Sequence, residues 1–254
     1  MNVIACYSNK GGVGKTATSV NLAHVIAQSG YRVLLADLDP QGASSFYFRV
    51  KPSRKLVDGA LFEDREKLGK AIRASDFENL DILPANQSFR EFDIFLSQMK
   101  NSRSRLRKAL KSVKNDYDVV VLDCPPNISL LSENIFRAAD AVLVPVIPTT
   151  LSERSFEQLL EFFEQGGLPH DRLHAFFSMG QSVKSLHSDT MATMRQNHGD
   201  RILATAVPFT SEVERMGIHR QPVTATAPNS AAAKAYRELF RELAGRNGLS
   251  RQNG

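Results

Sequence analysis

"SNKGGVGKTATSVNLA", Ser8 to Ala23, follows directly on the apolar run Val3-Ile4-Ala5-Cys6-Tyr7. A β-rich apolar stretch, a glycine-rich turn and a helical pattern opening at Lys15-Thr16 make up the context in which a phosphate-binding loop has meaning. Gly11, Gly12 and Gly14 free the backbone to wrap a phosphate chain with its N–H groups, with Val13 and Ala17 completing the stretch. The helix behind them presents its positive end to the same anion. Lys15 is expected to reach the terminal phosphate oxygens and the Thr16 hydroxyl to ligate magnesium. A chance Gly-rich turn is the competing reading, and the strand and helix on either side disfavour it. The loop also contains a second lysine, Lys10, that an ordinary phosphate loop does not need.

Such a loop works with carboxylates at the ends of neighbouring strands. "VLLADLDPQG" ends in Asp37 and Asp39, and "YDVVVLDCPP" brings four apolar residues up to Asp123. These runs, with "DAVLVPVIP", are almost continuously apolar, as strands covered on both faces are. Strands are expected over 2–7, 32–37, 80–84, 118–123, 141–146, 173–179 and 202–207. Helices are expected over 15–29, 63–74, 88–114, 128–138, 152–165, 186–197 and 230–244, the last capped by Asn229. Alternation of this kind predicts an α/β fold, doubly wound, with a mostly parallel sheet and helices on both faces. One domain over 1–246 and a fraying polar tail over 247–254 are expected. In open sheets of this type a ligand sits beyond the carboxyl ends of the strands, where all three aspartates fall.

The 254 residues are 42% hydrophobic and 23% charged, enough for a sizeable core. No window approaches the ~20 continuous apolar residues that span a bilayer, and no basic-then-apolar leader opens the chain, so a cytoplasmic location is expected. The formal charge of +5 favours an anionic partner only weakly. Cys6 and Cys124 lie in apolar strand-like runs and read as buried small hydrophobes. Ser44 and Ser45 read as helix-capping.

Taken together, "KGGVGKT" with Lys10, "DLDPQG", "DCPP", "ADAVLVPVIPTTLS" and the ending "PVTATAPNSAAAKAYRELFREL" resemble the deviant-P-loop ATPases of the ParA/MinD family, over essentially the whole chain. The resemblance implies ATP and Mg2+ as ligands and an ATP-dependent sandwich homodimer. Within that picture Lys15 is the cis lysine, and Lys10 reaches the nucleotide of the partner subunit. A second cation there offsets γ-phosphate charge that one lysine and one magnesium leave uncompensated. A merely solvated turn lysine is the alternative for Lys10. Asp39 matches the carboxylate that orients the attacking water. Asp123 holds magnesium through water, together with Thr16 and Asp39, and Asp37 is structural or hydrogen-bonded within the switch. Pro125 and Pro126 stiffen the segment behind Asp123. Ala17 stands where family members often carry threonine. The base is expected beside Pro208 and Phe209, and no N-K-x-D signature argues for guanine.

Three uses of such a machine differ in what they require. A positioning ATPase riding on non-specific double-stranded DNA needs surface Lys and Arg for phosphates. The resemblance favours Arg215 and Arg220 in "SEVERMGIHRQPV", with Lys184 and Arg241 as further candidates. The basic run "KNSRSRLRKALKSVK" reads mainly as a solvated face. Hydrolysis would be stimulated by a ParB-like or cargo-adaptor protein, and the protein would be nucleoid-associated. A MinD-like membrane-bound ATPase needs a terminal amphipathic helix outside the domain. Here the stripe Tyr236, Leu239, Phe240, Leu243 reads as core-facing, so no stable membrane association is expected. An iron–sulfur reductase would need its cysteines exposed together, which the positions of Cys6 and Cys124 do not suggest. The first use is the expected one, with a plasmid, a chromosome region or a protein assembly as cargo.

Overall fold

The computed structural model describes residues 1–51, 65–181 and 185–249. Among the described residues eight strands form one sheet: β1 (Asn2–Cys6), β2 (Val33–Asp37), β3 (Arg73–Ala74), β4 (Leu80–Leu83), β5 (Val119–Asp123), β6 (Ala141–Val146), β7 (Leu173–Gly180) and β8 (Ile202–Pro208). Their order is β3-β4-β2-β5-β1-β6-β7-β8, parallel throughout except for the short edge pairing of β3 with β4. The central strands have no wet face, which is why they read as unbroken apolar runs. Along β1 and the residue after it, Val3, Ala5 and Tyr7 join one core while Ile4 and Cys6 join the other.

Helices cover both faces. Helix α1 (Lys15–Gln28) and the C-terminal helix, α12 in chain order (Ala231–Asn247), pack together over one face. Between these two in sequence lie α2 (Ala43–Tyr47), α3 (Arg65–Ala71), α4 (Phe92–Gln98), α5 (Arg105–Leu110), α6 (Leu130–Ala138), α7 (Thr150–Gln165) and α8 (Ser185–His198). Three single-turn helices follow β8: α9 (Ser211–Glu214), α10 (Met216–His219) and α11 (Val223–Thr226). Aromatic residues of α4, α6 and α7 fill the other core, where Phe136 packs against both Tyr7 and Phe163. The α12 stripe of Tyr236, Leu239, Phe240 and Leu243 is buried in the first core.

Four sequence expectations are corrected. The helix expected over 88–114 is broken: Met99 is extended and Asn101 adopts a left-handed φ of 56°, so α4 ends and α5 starts in a new direction. The side chain of Asn134 on α6 fixes that break, donating to the Ser102 carbonyl at 2.8 Å and accepting from Leu106 N at 3.3 Å. The helix expected over 63–74 ends at Ala71, because Arg73–Ala74 turn away to pair with β4; residues 63 and 64 lie outside the described residues. Ser230, not Asn229, caps α12, accepting from Ala233 N. The expected tail does not begin at 247, since α12 includes Asn247 and Leu249 is buried, its carbonyl accepting from the Tyr31 hydroxyl at 3.1 Å. Residues 250–254 lie outside the described residues.

Asn134 is fully buried, its amide nitrogen donating to the Ser102 and Leu130 carbonyls and its oxygen accepting from Leu106 N. Asn134→Ala should therefore lower stability by about 1–3 kcal/mol, read as a lower urea midpoint with an unchanged m-value.

Candidate phosphate-loop site

The loop between β1 and α1 owes its shape to glycine. Gly12 and Gly14 have φ of 72° and 92°, a region that costs other residues 1 kcal/mol or so. A Cβ on Gly14 would also sit 3.0 Å from the Ser178 hydroxyl at the end of β7. Gly14 is the N-cap of α1 and supplies no side-chain cap, so backbone N–H groups at the helix start have no capping oxygen from it. Lys15 is buried, and its Nζ donates to the Lys10 carbonyl at 2.9 Å. Burial pulls its pKa below the ordinary lysine value, against the opposing attraction of Asp123 and Asp39. Lys10 is placed differently. Its ammonium leaves the loop and donates to the Ser152 hydroxyl in the first turn of α7 at 3.4 Å.

Asp37 and Asp123 stand side by side in register at the carboxyl ends of β2 and β5. Both are buried, which raises their pKa values, Asp37 to about 7, with Asp123 adding to the shift on Asp37. Helix α2 supplies the relief. The Ser44 hydroxyl donates to Asp123 at 2.7 Å, and the Ser45 hydroxyl and N–H both donate to Asp37, at 2.7 and 2.8 Å. Ser19 donates to Asp123 from α1 at 3.1 Å, and the Thr16 hydroxyl also favours its ionised form. Ser45 further accepts from Ala85 N, so one hydroxyl ties α2 to the ends of β2 and β4. These serines do not cap their own helix; Gly42 occupies the N-cap position. The sequence signal missed was two hydroxyls spaced to face two acids.

Asp39 is half-buried on the turn before α2, where it accepts from Gln41 N. The site therefore gathers Lys15, Thr16, Asp39 and Asp123, with Asp37 behind them. Its oxygen donors, one hydroxyl and two carboxylates, suit a hard cation such as Mg2+. The desolvated ammonium and the glycine-lined loop suit a phosphate chain.

Pro208 ends β8 and Phe209, 46% exposed, follows it, its N–H donating to the Gly180 carbonyl. The neighbouring Thr210 hydroxyl is buried without a partner among the described residues, a polar group the sequence reading did not single out. Both cysteines are buried, and desolvation pushes the Cys6 thiol up to about 12, where it is inert.

Of the four basic residues expected to face an anionic surface, Arg215 is exposed, while Arg241 is exposed and paired with Glu238. Arg220 has a left-handed φ of 51°; its guanidinium stacks on Phe46 of α2, 4.5 Å from the ring centre, and donates to the Phe46 carbonyl. Lys184 lies outside the described residues.

An acid whose folded pKa is raised makes its stabilising contribution below the unfolded value and loses it as pH climbs through the folded one. Asp37 should thus cost stability progressively between about pH 4 and 7. Asp37→Asn, which keeps an oxygen for Ser45, should be the more stable protein at pH 8 by about 1 kcal/mol or more, with the gap closing at pH 4. Thermal unfolding of the nucleotide-free protein across that range measures it.

Comparison with known proteins places this geometry. The family model described as "AAA domain" matches residues 1–167. The sporulation initiation inhibitor protein Soj of Bacillus subtilis is 32% identical over 95% of this chain and 98% of its own length. The chromosome partitioning protein ParA of Caulobacter vibrioides is 30% identical, covering 97% of this chain and 95% of its own. Among solved structures, a cobyrinic acid a,c-diamide synthase from Mycobacterium smegmatis with bound ADP and magnesium superposes with a TM-score of 0.80 at 28% identity, covering 98% of this chain and 96% of that one. With the lysine pair, the aspartate triad and the parallel sheet in place, the chain belongs to the ParA/MinD family of P-loop ATPases.

Proposed function

We propose that this protein is a ParA-like positioning ATPase that binds ATP and Mg2+, closes into a sandwich homodimer around the nucleotides and then binds DNA without sequence preference. Lys15, Gly11 to Ala17 and the N-terminus of α1 cradle the phosphates. Thr16, Asp123 and Asp39 serve the magnesium, and Asp39 orients the attacking water. Pro208, Phe209 and the unpartnered Thr210 hydroxyl are the groups offered to the base. Phosphoryl transfer asks little covalent chemistry of a protein, so catalysis here is positioning and charge compensation.

The observation that carries the reading is the division between the two lysines. Lys15 donates within its own loop, whereas Lys10 reaches away from it to Ser152. A cation already turned out of its own phosphate loop is suited to a phosphate on a second subunit. Hydrolysis would then be completed by a partner, a ParB-like or cargo-adaptor protein, and the dimer would reside on the nucleoid in the cytoplasm. Among the described residues no helix is long and apolar enough to cross a membrane. The MinD-like membrane reading lacks its main support, because the apolar stripe of α12 packs in the core.

Arg220 supplies a route from nucleotide to DNA. Helix α2 is held by Ser44 and Ser45 on Asp123 and Asp37, and its Phe46 holds Arg220 by stacking and a carbonyl. A rearrangement of α2 around a γ-phosphate would release that guanidinium for a DNA phosphate.

Binding to a random-sequence duplex tests this. It should require ATP, fall steeply with salt and be lost in Lys10→Ala and Lys15→Ala. Arg220→Ala should weaken it for all sequences and reduce the salt slope by about 1. Phe46→Ala should raise binding without nucleotide, narrowing the gap between the ATP and nucleotide-free states. A protein that dimerises on ATP yet binds no duplex would contradict the DNA reading.

A further inference from the structure

Away from the phosphate loop, α7 and the end of α8 bring three metal-ligating side chains together. Glu153 and Glu157 lie one turn apart on α7, and His198 is the last residue of α8. A carboxylate oxygen from each glutamate and one ring nitrogen of His198 all lie within 4.8 Å of one another. Neither glutamate is in a salt bridge among the described residues, and Glu157 has no hydrogen-bond partner there either.

The imidazole adds an independent observation. His198 is only 9% exposed, and its Nε2 is buried without a hydrogen-bond partner. A buried nitrogen without a partner is costly, and native proteins keep few of them. The ring is held in place by Phe156, whose edge meets it at a centroid distance of 5.2 Å. Phe156 is buried, while Glu157, the next residue along α7, is exposed. Asn197 donates to Glu153 Oε1 at 3.2 Å, fixing one carboxylate oxygen as the outer partners of metal ligands do. His198 also lines an open cleft of about 710 Å3 with His170, His174 and Asn197, while Glu157 is exposed on α7.

We propose that Glu153, Glu157 and His198 form a binding site for a divalent transition-metal ion, with zinc the best match. One imidazole and two carboxylates are the ligand types zinc takes, and three protein ligands leave a position for water. Magnesium and calcium prefer oxygen throughout and gain little from the imidazole. Ligands of a tetrahedral zinc lie roughly 3.3 Å apart, so small rotamer changes of two surface glutamates close the site. Glu153 follows Ser152, the residue that receives Lys10, so the ion would brace the same helical turn.

The test is titration of the tag-free, nucleotide-free full chain with Co2+ in excess Mg2+, followed by its visible absorption. The expected result is one Co2+ per chain, displaced stoichiometrically by Zn2+ and stabilising the protein thermally. Binding should be at least tenfold weaker in Glu157→Gln, an exposed change that leaves the fold intact, and lost in His198→Asn. His170→Asn, a control in the same cleft, should leave it unchanged. No saturable binding by the wild-type chain would overturn the proposal. So would binding that survives both substitutions in folded proteins, or that follows His170 instead.

Discussion

Two carboxylates buried side by side are the constraint on which the rest of this molecule turns. Asp37 and Asp123 face each other across β2 and β5 at the carboxyl ends of these central strands, where the phosphate loop opens. Neither charge is tolerable there alone, since burial and mutual repulsion both resist ionisation. The hydroxyls of Ser44 and Ser45 make the pair acceptable, and in doing so they dictate where α2 lies. A divalent cation near Asp123 would change that balance at once. The helix that answers to the aspartates is also the one that carries Phe46 and, through it, Arg220. Electrostatic stress at the site thus has a short mechanical path to the surface.

The loop illustrates a second consequence of burial. Lys15 is kept partly desolvated, so its interaction with a phosphate would be strong and poorly screened. Lys10, one turn of the loop earlier, is kept at the protein's flank by a neutral hydroxyl rather than by an acid. A neutral partner is easily exchanged for an anion, and that is the property the proposed dimer needs of it.

How much of this was legible in the sequence follows from what each element depends on. Continuous apolar runs fixed both the strands and their parallel pairing, because only a sheet covered on two faces uses such runs. The turn at Gly12 and Gly14 was readable too, because the left-handed φ it requires is a local property of glycine. The break at Asn101 was not, since no glycine or proline marks it and the contact that sustains it comes from Asn134 on a different helix. Ser44 and Ser45 looked like caps because hydroxyls at a helix start usually are caps. Their real partners lie on other elements, Asp37 on β2 and Asp123 on β5, the latter 79 residues away in sequence. The stacking of Arg220 on Phe46 spans 174 residues and leaves no local trace. The α12 cap shifted by one position, from Asn229 to Ser230, as expected where two good capping residues adjoin.

The proposed role of Lys10 across a subunit boundary is the central claim, and molar mass in solution tests it most directly. Light scattering of the wild-type chain and of Lys10→Ala, each saturated with Mg2+ and a non-hydrolysable ATP analogue, is the decisive comparison. The account predicts a dimer for the wild type and a monomer for Lys10→Ala that still binds the analogue. A dimer of equal strength in Lys10→Ala, or a wild-type chain that stays monomeric with the analogue bound, would contradict it.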